Sequence, residues 1–134
     1  GWEKIFKRYN WPLTNCHDRL FKDKYRETIN QAKIAIVFLS GKNQDVYTRR
    51  CFEIPACGTA MLLPDNQFLR NIFTADISAA YYNDTQSIIR SIRTLLASPE
   101  KLESIARNAY LIAQGHNEVA RAKQITDDYN QLLS

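Results

Sequence analysis

The run "KIAIVFLS", Lys33 to Ser40, constrains the fold more than any other stretch. It is apolar and rich in β-branched residues, has no helical period, and is too short for a core helix. Bounded on its far side by the polar "GKNQ", it predicts a central strand buried on both faces, the kind that occurs in parallel sheets covered by helices. Two further runs repeat the signal. "TAMLLP" (Thr59 to Pro64) follows Gly58 and is stopped by Pro64-Asp65, and "ISAAYY" (Ile77 to Tyr82) is shorter.

Segments of helical period separate and follow these strands. Lys22 to Gln31 brings Tyr25 and Ile29 to one side. Asp84 to Ala97 starts on a capping aspartate and spaces Ile88, Ile92, Leu95 and Leu96 helically. Ser98-Pro99 places a cap before a first-turn proline, and the helix predicted from there runs to Gly115. A last helix starts near Asn117 and carries Val119, Ala122, Tyr129 and Leu132. Strands alternating with helices give an α/β fold, a Rossmann-like parallel sheet flanked by helices amounting to half of a doubly wound sheet. Residues 1–134 are expected to form a single, partial domain, with 99–134 as its C-terminal helices. The start, without a strand before its first helix, suggests a portion of something larger.

Composition narrows the function classes. The 134 residues are 45% hydrophobic and 24% charged, as in ordinary globular domains. The longest apolar run falls far short of the roughly 20 residues that span a bilayer, and no signal peptide opens the chain, so a cytoplasmic protein without a membrane span is expected. Three cysteines, Cys16, Cys51 and Cys57, lack paired spacing, and His17 and His116 lie far apart, which argues for free thiols and no metal site. The net charge of +4 is concentrated in residues 1–50, where 11 Lys/Arg face 5 Asp/Glu. Interleaved Trp2, Phe6, Tyr9, Trp11, Phe21 and Tyr25 would suit either a nucleic-acid surface or an amphipathic segment packing its rings inward. Without a recognition motif the second reading is preferred, and no nucleic-acid partner is expected.

The chemistry concentrates in "SGKNQDVYTRRCFEIPACG", Ser40 to Gly58. In parallel α/β sheets ligands sit beyond the carboxyl ends of the strands, where the following helices point their N-termini. Lys42, Arg49 and Arg50 add cations there. If one helix began at Asp45, Asp45 and Glu53 would stand about 12 Å apart along it and about 80° around it. They would then be unable to share a proton or a metal ion, but would be able to hold two parts of a long polar ligand. Asp45 is equally readable as a helix N-cap. Arg50 is as readily an i,i+3 partner of Glu53 as a phosphate ligand. Cys51 and Cys57 read as small packing residues, and Pro55 as an early helix stop before Gly58.

"YRETINQAKIAIVFLSGKNQDVYTRRCFEIPACGTAML", together with "SPEKLESIARNAY" and "GHNEVAR", resembles the CgeB-type, spore-maturation-like glycosyltransferases, a branch of the group 1 glycosyltransferases with the GT-B fold. The resemblance implies a C-terminal donor-binding domain, so that the fragment alone would be inactive without the N-terminal acceptor domain and the diphosphate-clamping part of its own domain. It also implies an acidic pair with seven residues between. The second acid, which holds the ribose hydroxyls, falls on Glu53. The first, beside the donor sugar, falls on Asp45, one methylene shorter than the commoner glutamate. His116 and Arg121 match an "H…R" element. The expected partner is a UDP-sugar or GDP-sugar, with no cofactor and no metal. Arg50 and Lys42 are assigned to phosphate or to orienting Glu53, and oligomerisation remains open. The rival reading is a non-catalytic binding or assembly module derived from such a domain.

Overall fold

The computed structural model describes Lys4, Lys7, Arg8, Asn10 and residues 20–134. Most of the basic aromatic N-terminal segment, with Trp2, Phe6, Tyr9, Trp11, Cys16 and His17, lies outside the described residues. From Lys22 the order is α1 (Lys22–Gln31), β1 (Ile34–Ile36), α2 (Arg50–Ala56), β2 (Ala60–Pro64), α3 (Gln67–Ile72), β3 (Ala80–Tyr82), α4 (Thr85–Leu96), α5 (Pro99–Gln114) and α6 (Glu118–Leu133). The expected α/β architecture is present. The three strands are parallel in the order β1-β2-β3, so the middle place belongs to "TAMLLP" and not, as the first run suggested, to "KIAIVFLS".

Alternation along β2 explains both layers. Met61 and Leu63 face a cluster with Cys51 and Ile54 of α2, Leu69 and Phe73 of the α3 region, and Ala109 of α5. Ala60 and Leu62 face the other way, onto Leu95 of α4 and Ile105 of α5. With residues 61–63 fully buried, β2 is the axis of the core. Burying one leucine side chain of this kind stabilises by about 1.5–3 kcal/mol.

The first run forms a shorter strand than its composition suggests, and Pro64 supplies the reason. β1 pairs Ile34 to Ala60 and Ile36 to Leu62, and the Val37 N–H still donates to the Leu62 carbonyl at 3.0 Å. The next donor of a parallel ladder would be the N–H of residue 64, and proline has none. Instead the Tyr82 hydroxyl, from β3, donates to the Val37 carbonyl at 2.7 Å. Beyond Val37 the chain leaves the sheet and crosses its carboxyl edge. The third run is also shorter: the Ile77 and Ser78 N–H groups donate to the Thr74 carbonyl, making a turn where a strand was expected.

Local chemistry sets the helix ends. Asp84 caps α4, accepting from the Ser87 N–H at 2.7 Å, while the Ser87 hydroxyl accepts from the Asp84 N–H at 3.0 Å. Pro99 occupies the first turn of α5 as expected. Gly58, at φ +77°, makes the left-handed turn from α2 into β2.

Candidate functional site

The helix expected to begin at Asp45 begins at Arg50, with Arg49 at its cap position, and has only seven residues. Asp45 therefore lies in the loop between β1 and α2 and neither caps a helix nor shares one with Glu53. The helical spacing of 12 Å and 80° does not apply to the pair. The turn of residues 41–44 and the left-handed Gln44, at φ 50°, keep the chain from helical geometry until Thr48.

Glu53 is half-buried on α2 and pairs with Arg49, one turn earlier, at 3.5 Å. Arg49, rather than Arg50, is thus its cationic neighbour at ion-pair distance. Such an exposed pair contributes little stability, about 0.3–0.5 kcal/mol. The Glu53 charge is also felt by Tyr25 of α1. Burial first, and then the Glu53 carboxylate, push that phenol above its ordinary value, against the opposing pull of Arg50.

In front of Glu53 a cavity of about 370 Å³ opens between α2 and the junction of α5 with α6. Ala56 and Ala113 line it too, small side chains that let α2 and α5 approach closely. Its walls are aromatic. Phe52 lies 5.0 Å from the His116 ring and meets Tyr47 edge-on at 6.1 Å. Arg49, Glu53 and Arg121 bring charge to this apolar lining, and Asn117 and Glu118 complete the α6 side. An apolar pocket with a few convergent polar groups is the usual form of a small-molecule site.

The structure therefore brings Glu53 and Arg49 together with His116 and Arg121, more than sixty positions away in sequence. Lys42, Asp45 and Arg50 do not line this cavity; Lys42 and Arg50 are exposed, and Asp45 is half-exposed at the carboxyl edge of the sheet. Tyr47, Phe52, Asn117 and Glu118 were missed by sequence reasoning. Two aromatics spaced 47 and 52 beside an acid offered a faint signal, whereas the α6 contribution depends on tertiary packing alone. Cys51 is buried in the core, and burial, chiefly, pushes the half-buried Cys57 thiol up. Among the described residues no group of three His, Cys, Asp or Glu comes together to hold a metal ion, and no helix is long and apolar enough to cross a membrane.

Among solved structures, sucrose-phosphate synthase from Thermosynechococcus elongatus superposes with a TM-score of 0.79 over 98% of this chain, at 19% sequence identity. The chain spans 33% of that protein's length, and the likeness is one of fold, that of a GT-B glycosyltransferase domain. No curated protein gives a significant match. The family described as Glycosyl transferase-like matches residues 1–127 of the 134, and the chain belongs to that family.

Proposed function

We propose that the protein transfers a sugar from a nucleoside diphosphate donor to an acceptor, and that the cavity in front of Glu53 takes the nucleoside end of that donor. The observation that carries this reading is the Glu53 carboxylate, paired with Arg49 and lining an aromatic-walled cavity. A carboxylate accepts from two vicinal hydroxyls at once, so it recognises a ribose diol directionally. The flat walls of Tyr47, Phe52 and His116 suit the ring systems of a nucleoside, while Arg121 supplies a cation for the charged part of the donor. In this reading Asp45 and Lys42, on the loop across the carboxyl edge of the sheet, and Arg50, at the start of α2, meet the donor sugar and its phosphates further along. Metal is not needed in this scheme, because helix dipoles and basic side chains stabilise a departing diphosphate. The pattern of residues favours the CgeB-type branch of the group 1 glycosyltransferases.

The test is a calorimetric titration of the full protein with UDP and with GDP, comparing wild type with Glu53→Ala. Loss of the carboxylate's charged hydrogen bonds weakens binding by at least about 1.5–3 kcal/mol, the worth of one such bond, or roughly 10- to 150-fold in Kd. Equal affinity in the variant removes Glu53 from the ribose. Failure of the wild type to bind any nucleotide favours a binding or assembly module over a transferase.

A further inference from the structure

The loop from β1 to α2 is held at both ends by side chains, one from β3 and one from the turn that follows β2. At its start the Tyr82 hydroxyl donates to the Val37 carbonyl, and near its end the Asn66 Nδ2 donates to the Val46 carbonyl at 3.1 Å. Between these two points run Lys42, Gln44 with its positive φ, and Asp45. Asn66 is fixed in its orientation because its Oδ1 accepts from the Leu69 N–H at 2.8 Å and so caps α3. One side chain thus ties α3 to the loop.

The same helix grips the next residue as well. The Tyr47 ring stacks on Phe68 of α3 at 5.1 Å and 19°, while also lining the cavity in front of Glu53. Leu69 and Phe73 are fully buried, so the platform on which Asn66 and Phe68 stand is anchored in the core. Movement of the Val46 carbonyl would carry Tyr47 with it and change the width of the cavity.

We propose that Asn66 is a positioning residue for donor binding: it sets the backbone at Val46 and thereby holds Tyr47 as a fixed wall of the cavity that Glu53 lines. This rests on the donor-binding reading of the cavity. Asn66 needs no contact with the ligand, and its two functions are separable by substitution. Asn66→Asp keeps an acceptor for the Leu69 N–H but presents no donor to Val46. Asn66→Ser keeps a capping oxygen but is too short to reach the loop.

The experiment combines hydrogen exchange of residues 44–48, thermal unfolding, and titration with UDP and GDP, on the full protein and both variants. Expected are near wild-type thermal midpoints, faster exchange over 44–48, and nucleotide affinity weaker by about three- to tenfold, the loss of one hydrogen bond's worth of organisation. Unchanged exchange in both variants overturns the tether itself. Faster exchange with wild-type affinity overturns the positioning role while leaving the donor reading intact. A wild type that binds neither nucleotide overturns the donor reading and the positioning role with it, and the exchange data then judge the tether on their own. Thermal destabilisation with unchanged exchange would confine Asn66 to capping α3, contrary to the proposal.

Discussion

Single residues whose conformation or charge is forced carry most of the local specificity. Gly58 is the clearest case, since at φ +77° no neighbour lies within 4 Å of the position a Cβ would take. Any cost of a side chain there is backbone strain and not collision. Gly58→Ala is expected to destabilise by about 1–2 kcal/mol, and Gly58→Asn by less, measured by denaturant unfolding. The need for glycine was visible in sequence from its place between a helix and an apolar strand. Asp45 shows the opposite. Its distance along the chain from Glu53 was legible, but its position in space was not, because the turn at 41–44 and a left-handed glutamine have no periodic signature.

Elements add capping and pairing to these local preferences. Hydrogen bonds from the Ser87 backbone N–H and hydroxyl at the cap of α4, foremost among the causes, hold the Asp84 carboxyl below the usual carboxylate range. A carboxyl depressed in the folded state contributes stability that is fully present above its unfolded pKa, about 3.9, and is lost as pH falls through the lower folded value. Asn caps helices nearly as well as Asp. Asp84→Asn should therefore match wild type in thermal midpoint at pH 7 and lose less of it on acidification to pH 3; parallel acid losses in the two proteins would contradict this. The cap, the first-turn Pro99 and the extent of α1 were all legible because they depend on neighbours in sequence. Helix α3 escaped notice, since six residues beginning just after Pro64-Asp65-Asn66 are too few to display a period. The lengths of β1 and β3 were overread because an apolar run reports burial and not pairing. Ile77, counted as strand, is 56% exposed on a turn.

At the scale of the whole molecule, burial is graded from the sheet outward. β2 is enclosed on both faces, whereas α6 contributes no buried side chain and leaves Val119, Ile125, Tyr129 and Leu132 exposed. Local opening free energies follow such a gradient. Amide exchange is expected to be fastest in α6 and slowest in residues 60–63, the latter approaching the global unfolding free energy; protection in α6 equal to that of β2 would contradict the gradient. The layered fold was legible because hydrophobic period reports which faces are covered. The cavity was not, because His116, Asn117 and Arg121 reach Glu53 only through the packing of α5 on α2. Sequence supplied the chemical types present at the site, and tertiary packing chose which of them meet.

Pro64 connects these scales in one further way. By withholding a single hydrogen from the ladder, it makes β1 peel off β2 one rung early, and the slack released becomes the segment that crosses the carboxyl edge. The vacancy is taken by the Tyr82 hydroxyl, a side-chain latch in place of a main-chain bond. Loss of such a latch costs one side-chain contact while every rung of the sheet stays closed. The near end of the crossing segment is therefore fastened by one side-chain contact and its far end by the Asn66 tie at Val46, so any give is confined to the stretch between them and leaves the core undisturbed.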